Sequence, residues 1–339
     1  MKKPKKTLSF DDVLLVPQKS DIESRSEVDI SGHINEVKLT IPIISSPMDT
    51  VTESDMAATM SMVGGLGVIH RYNTIREQTA ILKETLQHCS HAGAAVGVTD
   101  DMGARATALV AAGASLLCID VAHGHHTNVE RAIKTLRDKF GSKVSIMAGN
   151  VATAEGFEDL QDWGANVIRV GVGGGSICST RIQTAHGVPT FQSVLDCSQV
   201  VDEAKLVADG GIKNAGDIVK CLAAGADFVM LGSLLAGTQQ SPGEVFKNSQ
   251  GQRYKSYRGM ASREAQVAWR GKARSLEGVA TTVPYKGDVE DILADLTQNI
   301  RSGLSYSGAR SISEFREKAK VIQQTSAGMN ESRTHILSR

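Results

Sequence analysis

A run of glycines surrounds a cysteine that could act as a nucleophile. Cys178 lies in the segment Gly-Val-Gly-Gly-Gly-Ser-Ile-Cys-Ser-Thr-Arg, residues 171–181. A thiol in a loop becomes nucleophilic where a neighbouring field lowers its pKa, and glycines let backbone groups approach a ligand or an ion closely. The segment therefore indicates covalent catalysis beside a bound ligand. The structural alternative, a small apolar cysteine buried in a turn, fits equally well when the segment is taken alone.

Two other short segments have the composition of a phosphate and sugar site. Gly232-Ser233 could contact a phosphate, as loops late in the chain commonly do in α/β barrels. Asp209, before two glycines, has a carboxylate that can accept two hydroxyl protons of a sugar diol. A plain strand-to-helix turn and a helix cap are the alternatives. Together with Ser176, which can donate to a phosphate, they predict a nucleotide whose reactive ring lies near Cys178.

The remaining cysteines and the histidines have structural explanations. Cys118 lies inside an apolar strand pattern, and Cys221 lies on the apolar face of a helical pattern. The five cysteines include no Cys-x-x-Cys pair, which argues against zinc and disulfide frameworks. His123, His125 and His126 are spaced poorly for a metal site on a helix. Free thiols favour a reducing, cytoplasmic location.

A repeated joint between helix and strand indicates the architecture. The segments 112–120, 163–171 and 224–232 each place Gly-Ala at the end of an amphipathic stretch and before an apolar run. This arrangement is typical of a helix that ends directly at a buried strand in a repeated βα unit. Helices are predicted over 102–112, 128–140, 154–163 and 215–224.

The apolar runs predict a closed barrel. Eight short strands are predicted near 43–46, 66–69, 94–98, 116–119, 144–148, 167–170, 206–208 and 228–231. Polar or glycine-rich residues follow five of them, beginning at Asp120, Asn150, Gly171, Asp209 and Gly232. In a (β/α)8 TIM barrel such residues converge on the face where active sites form. An open doubly wound sheet is the structural alternative.

Composition and length indicate one domain, residues 1–339, and exclude several functions. An excursion over about 241–286 is long, polar and Arg-rich, and a polar tail covers about 320–339; the segment 71–91 is too short for an inserted domain. Lys plus Arg and Asp plus Glu are 37 each, which argues against nucleic-acid binding. No apolar run approaches the roughly 20 residues of a membrane span, and the basic N-terminus lacks the apolar region of a secretory signal.

Six segments together resemble the IMP dehydrogenase and GMP reductase family, over nearly the whole chain. They are Ser-Phe-Asp-Asp-Val-Leu-Leu-Val-Pro at 9–17, Met-Asp-Thr-Val-Thr at 48–52, Gly-Ser-Ile-Cys-Ser-Thr-Arg at 175–181, Ala-Asp-Gly-Gly at 208–211, Tyr-Arg-Gly-Met at 257–260 and Val-Pro-Tyr-Lys-Gly at 283–287. Such a combination is far more specific than a single glycine motif. No regulatory CBS domain is inserted in the barrel.

The resemblance implies a role for each matching residue. Cys178 would attack C2 of a purine nucleotide, and Thr180 with Glu277 would form a proton-transfer pair. The substrate would also contact residues that hold its phosphate, ribose or base: Ser45, Met48, Ser176, Asp209, Gly211, Gly232, Ser233, Tyr257, Gly259 and Met260. Asp120 and Asn150 would face a nicotinamide cofactor. In many members, backbone carbonyls matching Gly173, Gly175 and Cys178 surround a monovalent cation such as K⁺.

The two branches of the family differ in how the shared Cys–purine intermediate is used. A dehydrogenase forms it by hydride loss from IMP to NAD and hydrolyses it to XMP. A reductase forms it by expelling ammonia from GMP and reduces it to IMP with NADPH. Dehydrogenases carry an Asp-Arg-Tyr segment that activates water, whereas the corresponding residues here, 266–278, contain no Arg-Tyr. The sequence therefore favours an NADPH-dependent GMP reductase, as a homotetramer or octamer.

Two features favour the dehydrogenase, and one further residue departs from the pattern of the family. Tyr-Arg-Gly-Met at 257–260 is closer to dehydrogenases, since reductases more often have Phe-Tyr-Gly-Met there. The tail at 326–332 resembles a dehydrogenase tail that completes a cation site in a neighbouring subunit, and Gly174 replaces the usual proline of the catalytic loop. A catalytically silent nucleotide-binding paralogue is a third alternative, against which the retained Cys178, Thr180 and Glu277 argue.

Overall fold

Eight parallel strands close into a barrel. The computed structural model describes residues 4–99, 101–274 and 276–334. The barrel strands, first to eighth, are Ile43–Ser45, Leu66–Ile69, Gly93–Val96, Leu116–Asp120, Ser145–Val151, Val167–Val170, Lys205–Asp209 and Phe228–Leu231. The eighth strand pairs in parallel with the first, opposing Val229 to Ile43, so the sheet has no free edge. The prediction of a TIM barrel is confirmed, and an open sheet is excluded.

Most of the helices pack around the barrel, whereas Thr180–Thr184 begins at the cavity and Arg263–Arg270 lies in the excursion. Their bounds are Ser54–Met62, Ile75–Thr85, Met102–Ala111, Thr127–Phe140, Ala154–Asp162, Thr180–Thr184, Thr190–Cys197, Ala215–Ala223, Arg263–Arg270, Val289–Ser305, Ile312–Lys318 and Ser326–Glu331. Short 3₁₀ turns occupy Phe10–Asp12, Arg25–Glu27 and Ser198–Val200. None of the described helices is long and apolar enough to cross a membrane.

The repeated helix-to-strand joint has one geometry in all three copies. Gly113, Gly164 and Gly225 have φ of +103°, +105° and +115°, a left-handed conformation that favours glycine. In each copy the glycine N–H and the next alanine N–H donate back to the last helical turn; Ala114 N–H, for example, donates to Leu109 O at 3.0 Å. These bonds form a Schellman motif, which ends the helix and aims the chain into the next strand.

The strand predictions differ from the structure mainly at the ends. The fifth strand extends to Val151, so Asn150 lies within it instead of after it. Asp120 and Asp209 are likewise the last residues of their strands. These polar side chains can belong to strands because they lie at the barrel's open mouth, where burial is incomplete and hydrogen-bonding partners are close.

A hairpin closes the opposite end of the barrel. Strands Gly32–Ile34 and Val37–Leu39 pair antiparallel, and Ile34 and Leu39 pack into the same buried cluster as the barrel interior. A Cβ on Gly32 would lie 2.8 Å from Phe228 Cζ, so the hairpin fits closely against the eighth strand. With this end filled by side chains, a ligand can enter the barrel at the C-terminal ends of its strands.

The excursion and the tail both contain regular structure. Strands Phe246–Lys247, Arg253–Arg258 and Ala280–Pro284 form an antiparallel sheet, and the helix Arg263–Arg270 lies between the last two; we call residues 241–286 the flap. In the tail, strand Val321–Gln323 pairs antiparallel with Val13–Leu15 of the same chain. Ser275 in the flap and residues 335–339 of the tail lie outside the described residues.

We expect Gly67→Ala to lower the free energy of unfolding by about 1–3 kcal/mol, because the site is fully packed. A Cβ at Gly67 would lie 2.4 Å from Ala57 Cα on the adjacent helix. Urea denaturation followed by circular dichroism measures the effect. Gly103→Ala is the matched control, because it lies in a helix where a Cβ meets nothing within 4 Å, and it should raise stability by up to about 1 kcal/mol. Equal midpoints for Gly67→Ala and the wild type would contradict the packing described.

Candidate active site

A cavity of about 340 Å³ lies at the C-terminal ends of the barrel strands. Its lining contains all but one of the residues predicted to form the site. Those that line it are Met48, Asp120, Asn150, Gly173, Gly175, Ser176, Cys178, Thr180, Asp209, Gly211, Gly232, Ser233, Tyr257, Gly259, Met260 and Glu277. Segments separated by more than two hundred residues therefore meet in one place.

Ser45 is the exception. Its side chain is fully buried, and its hydroxyl accepts a hydrogen bond from Thr52 Oγ1 at 2.8 Å. The next residue, Ser46, lines the cavity instead. Because successive strand residues point to opposite faces, a shift of one position moves a side chain out of the site. The prediction of a substrate contact from Ser45 is therefore not supported by its position.

Cys178, Thr180 and Glu277 form a continuous hydrogen-bonded line. The Cys178 thiol donates to Thr180 Oγ1 at 3.2 Å, and Thr180 Oγ1 donates to Glu277 Oε2 at 2.8 Å. The thiol therefore has a route by which its proton can reach a carboxylate through one hydroxyl. The arrangement of nucleophile, intermediary and base meets the geometric requirement for an activated nucleophile.

Backbone pairing between the flap and the catalytic loop holds Glu277 in this line. Cys178 and Gly278 form an isolated antiparallel bridge. The Ser179 N–H donates to Glu277 O at 2.9 Å, and the Val279 N–H donates to Ile177 O at 3.0 Å. Since these bonds flank Glu277, its carboxylate can reach Thr180 only while the flap is paired with the loop.

A second contact attaches the flap to the loop after the first barrel strand. Arg258 donates from Nε and Nη2 to Asp49 Oδ2, at 2.9 and 2.6 Å. The Asp49 N–H in turn contacts Met260 Sδ at 3.4 Å. An arginine with two bonds to one carboxylate is a strong attachment. It places Met260 over the cavity, next to Met48 in its lining.

A buried arginine lies between two carboxylates in another part of the cavity lining. Arg169 Nη1 donates to Asp120 Oδ1 at 2.7 Å, and Nη2 donates to Asp209 Oδ2 at 2.8 Å. Only 6% of the Arg169 side chain is exposed. Removing one partner of a buried ion pair leaves an uncompensated charge, which typically costs about 3–5 kcal/mol. Arg169 therefore pairs with two carboxylates that line a partly enclosed cavity.

Asn150 adds a further hydrogen bond to the Asp209 carboxylate. Its amide donates to Asp209 Oδ2 at 2.8 Å and to Gly171 O at 2.9 Å. All of the Asp209 bonds from Asn150 and Arg169 end on Oδ2, and Oδ1 accepts none from the described residues. One carboxylate oxygen thus remains available to accept hydroxyl protons from a ligand in the cavity.

The sequence prediction missed Arg169 and Arg71. Arg71 donates from Nη2 to Asp120 O at 3.0 Å and lines the cavity beside Tyr72. The signal for Arg169 was present, because it is the one charged residue in the otherwise apolar strand Val167–Val170. A charged residue in a buried strand requires a partner. Here one acid, Asp209, ends the adjacent seventh strand, and the other, Asp120, ends the fourth strand, two positions away in the barrel.

Glycines let the catalytic loop lie directly against the Asp209–Gly211 turn. A Cβ on Gly171 would lie 1.9 Å from Asp209 O, and one on Gly174 would lie 2.6 Å from Thr190 Oγ1. Gly211 has a φ of +80°. Any side chain at Gly171 would therefore separate the loop from the turn. The resemblance to the family implies a proline where this chain has Gly174. The Thr190 hydroxyl occupies the space that a side chain at this position would need.

One group of residues in the cavity lining offers hydroxyls and backbone N–H groups: Ser176, Gly211, Gly232, Ser233 and Tyr257. A Cβ on Gly232 would lie 3.3 Å from Tyr257 Oη, so a larger residue would crowd the hydroxyl. Burial raises the pKa of Tyr257, which keeps its hydroxyl protonated and able to donate. The set can donate hydrogen bonds to an anion.

The histidine cluster has structural partners. His125 Nε2 lies 2.6 Å from Asp159 Oδ2, and His126 Nδ1 accepts from the Asn128 N–H at the start of a helix. Within the described residues, no group of three or more His, Cys, Asp or Glu side chains is arranged to hold a metal ion.

Comparisons with known proteins agree on one family. A family model for the IMP dehydrogenase / GMP reductase domain matches residues 7–335. An inosine-5'-monophosphate dehydrogenase from Nitrosopumilus maritimus is 33% identical, with 98% of both chains covered. A GMP reductase from Leishmania major is 31% identical, with 98% of this chain and 97% of the relative covered. A crystal structure of GMP reductase from Trypanosoma brucei with guanosine 5'-monophosphate has a TM-score of 0.92 at 32% identity, covering 98% of each chain.

These relatives carry the names of both branches at nearly equal identity. Their alignments extend over 470 and 479 positions, against 339 residues in this chain. The relatives therefore contain segments without a counterpart here. Overall similarity does not distinguish the two reactions, so the distinction depends on the chemistry of the site.

We expect an alkylating reagent at neutral pH to modify Cys178 first in the native protein, because its thiol lines the cavity. Burial raises the pKa of Cys118 to about 12 and that of Cys197 to about 12, and it also raises that of Cys221. These three thiols stay protonated and shielded until the chain unfolds. Peptide mass mapping against reaction time gives the order. Labelling of native Cys118 as fast as Cys178 would refute this assignment.

Proposed function

Because the chain belongs to the IMP dehydrogenase / GMP reductase family, we propose that it is a GMP reductase. Members of this family are oxidoreductases that act on purine nucleotides. The proposed reaction converts GMP, NADPH and a proton to IMP, NADP and ammonia. The observation that carries the proposal is the flap, which brings Glu277 to Thr180 but contains no Arg-Tyr pair in residues 266–278.

The lining residues fit the phosphate, ribose and base of a purine nucleotide when it is bound in one particular orientation. The phosphate would lie against Ser176, Gly211, Gly232, Ser233 and Tyr257, which supply hydroxyls and backbone N–H groups. The free oxygen of Asp209 would accept the ribose hydroxyls, and Met48 and Met260 would pack against the base, with Gly259 beside it. This orientation brings C2 of the purine towards Cys178. The GMP in the Trypanosoma brucei relative supports a purine nucleotide as the ligand.

The hydrogen-bonded line from Cys178 supports removal of the amino group. The thiol loses its proton through Thr180 to Glu277, and the sulfur forms a bond to C2. The electron pair displaced from the ring returns as the C2–N bond to the amino group breaks, and Glu277 returns a proton through Thr180 to the departing ammonia. Proton transfer of this kind is typically worth about 10²–10⁴-fold in rate.

The Asp120 side of the cavity fits a nicotinamide cofactor. Val121 and Ala122 give an apolar wall, Asp120 and Asn150 give polar groups, and the Tyr72 ring stacks on Trp269 at 6.1 Å beside Arg71. When bound, the cofactor supplies the hydride that reduces C2, after which Cys178 is released and IMP departs. The arginine beside an aromatic ring suits the charged and aromatic parts of a dinucleotide.

A monovalent cation such as K⁺ is part of the proposal. The carbonyls of Gly173 and Cys178 accept no hydrogen bond from the described residues, while that of Gly175 accepts one from the Cys178 N–H at 3.1 Å. Carbonyl oxygens with free lone pairs are the ligands that hard cations use. A cation there would stiffen the loop that carries Cys178.

IMP dehydrogenase is the second candidate, and one observation favours it. Arg258 in Tyr-Arg-Gly-Met is paired with Asp49, so a residue typical of the dehydrogenase branch has a defined structural role here. The same Thr180–Glu277 pair could activate water, but the flap contains no Arg-Tyr to assist it. We retain the reductase as the proposal because the missing Arg-Tyr pair would act on the reacting water, whereas the Arg258–Asp49 pair is structural. A catalytically silent nucleotide-binding paralogue is the third candidate. The hydrogen bonds that join Cys178, Thr180 and Glu277 argue against it.

We expect oxidation of NADPH with GMP, and release of ammonia, because the site can expel the amino group but lacks the pair that assists water. Two parallel assays follow reduced cofactor by absorbance: GMP with NADPH, and IMP with NAD. NADH in place of NADPH gives the cofactor preference. Robust formation of XMP from IMP, with no turnover of GMP, would exclude the reductase.

We expect Cys178→Ala to abolish turnover while GMP still binds, because the phosphate and ribose contacts lie on other residues. Thr180→Ala and Glu277→Gln should slow turnover by about 10²–10⁴-fold, with Cys178→Ala the most severe. Steady-state kinetics and calorimetry separate rate from affinity. Cys89→Ala changes a half-buried cysteine outside the cavity lining, so it is the matched control and should keep full activity. More than about a tenth of the wild-type rate in Cys178→Ala would rule out the nucleophile.

We also infer a homotetramer, or a pair of tetramers. Ile182 and Val279, on either side of the Cys178–Gly278 bridge, are 82% and 50% exposed in the single chain. Apolar side chains exposed beside an active site are commonly covered in an assembly. Light scattering at micromolar concentration should give the mass of four or eight chains, and a monomer would contradict the inference.

A further inference from the structure

The phosphate end of the cavity has no cationic side chain among the lining residues that the structure describes. The lining contains two arginines, and both are occupied elsewhere: Arg169 pairs with Asp120 and Asp209, and Arg71 contacts Asp120. A phosphate monoester carries between one and two negative charges at neutral pH. Its binding therefore calls for positive charge from behind the lining.

The lining at this end includes a helical turn with free N–H groups. The Leu235 and Ala236 N–H groups donate to Gly232 O at 3.1 and 2.9 Å. The Ser233 and Leu234 N–H groups donate to none of the described residues. Free N–H groups at the start of a turn attract anions. A single turn has a small dipole, however, so the turn alone is a weak site.

Lys286, on the flap, binds the carbonyl side of this turn. Its Nζ donates to Ser233 O at 2.5 Å and to Leu234 O at 3.1 Å. Because the C=O and N–H of a trans peptide point in opposite directions, an ammonium on Ser233 O lies opposite the Leu234 N–H and polarises it. The backbone N–H of Lys286 also donates to Gly237 O at 2.9 Å, which holds the side chain in register with the turn.

A second flap lysine, Lys255, also donates to backbone carbonyls of the segment that follows the eighth barrel strand. The Lys255 ammonium, which is buried, donates to Thr238 O at 3.0 Å and to Gln239 O at 3.3 Å, and it also contacts Ser241 O. Both lysines come from the flap, and both bind carbonyls that follow the eighth barrel strand. The flap thus places two positive charges on carbonyl groups of the segment that follows the eighth barrel strand, and this segment begins with the cavity-lining residues Gly232 and Ser233.

We propose that Lys286 is a positioning residue for the nucleotide phosphate, orienting the Gly232–Ser233 turn and supplying the positive charge that favours the phosphate dianion. This inference rests on the phosphate subsite of the proposed function. It does not depend on which of the two reactions follows. The flap then has two roles: Glu277 serves the reacting end of the nucleotide, and Lys286 serves the phosphate end.

The other charged or titratable groups near this end are Tyr257, Asp209 and Lys255, and every variant in the test retains them. Burial raises the pKa of Tyr257, so it stays protonated, and burial lowers the pKa of Lys255. Burial of the Lys286 ammonium also lowers its pKa, although the side chain as a whole is exposed. A change in the pH dependence of binding on substitution of Lys286 therefore reports its own charge.

Calorimetry without cofactor, on the full chain, tests the proposal. We expect Lys286→Gln to weaken GMP and IMP binding about tenfold, or about 1.4 kcal/mol, and to leave guanosine binding unchanged. Between pH 5.5 and 7.5, across the second phosphate pKa of about 6, wild-type affinity should rise. Lys286→Gln should flatten that rise, and Lys286→Arg should restore it. Lys247→Gln, an exposed flap lysine without a hydrogen bond to the described residues, is the matched control.

The outcomes are distinguishable. If the wild type binds neither nucleotide, the proposed function itself fails. If it binds both and Lys286→Gln binds them equally well with the same pH dependence, Lys286 has no part in phosphate binding. If Lys286→Gln weakens guanosine as much as GMP, the residue acts on the fold of the flap and the proposal is overturned.

Discussion

The hydrogen bond between Thr180 Oγ1 and Glu277 Oε2 is the interaction on which the site depends. It joins residues 97 positions apart, one on the catalytic loop and one on the flap. Backbone bonds on both sides of Glu277 maintain it, and the Arg258–Asp49 pair fixes the flap to the barrel. The proton of the Cys178 thiol can reach a carboxylate through Thr180 only when the flap is paired with the catalytic loop, so docking of the flap completes the catalytic groups.

A second group of contacts, centred on Arg169, holds two carboxylates in the lining of the cavity. Arg169 is buried between Asp120 and Asp209, and Asn150 adds a bond to the same Asp209 oxygen. The arginine compensates both charges and leaves Asp209 Oδ1 free. A guanidinium suits this place because its planar donors reach two carboxylates at once, whereas an ammonium is a single point charge.

The barrel could be predicted from the sequence because its signals are local. The glycines at 113, 164 and 225 mark the same helix end three times, and apolar runs mark the strands. Loop residues such as Cys178 and Gly232 could be placed because the C-terminal ends of parallel strands converge. The motif could not decide between Ser45 and Ser46, because a shift of one residue along a strand turns the side chain to the opposite face of the sheet. The Arg169 network, the Arg258–Asp49 pair and the Lys286 contacts join distant segments, and no local pattern specifies such pairings.

The most direct test of this account is to identify the nucleotide that forms a covalent bond with Cys178. Loss of ammonia from GMP and loss of hydride from IMP yield the same adduct at C2. The protein is mixed with GMP, or with IMP and NAD, and quenched by denaturation within one turnover; the peptide that contains Cys178 is then weighed. The account predicts the adduct with GMP, at the mass of GMP less ammonia. An adduct from IMP and NAD only, or an adduct on another residue, would contradict it.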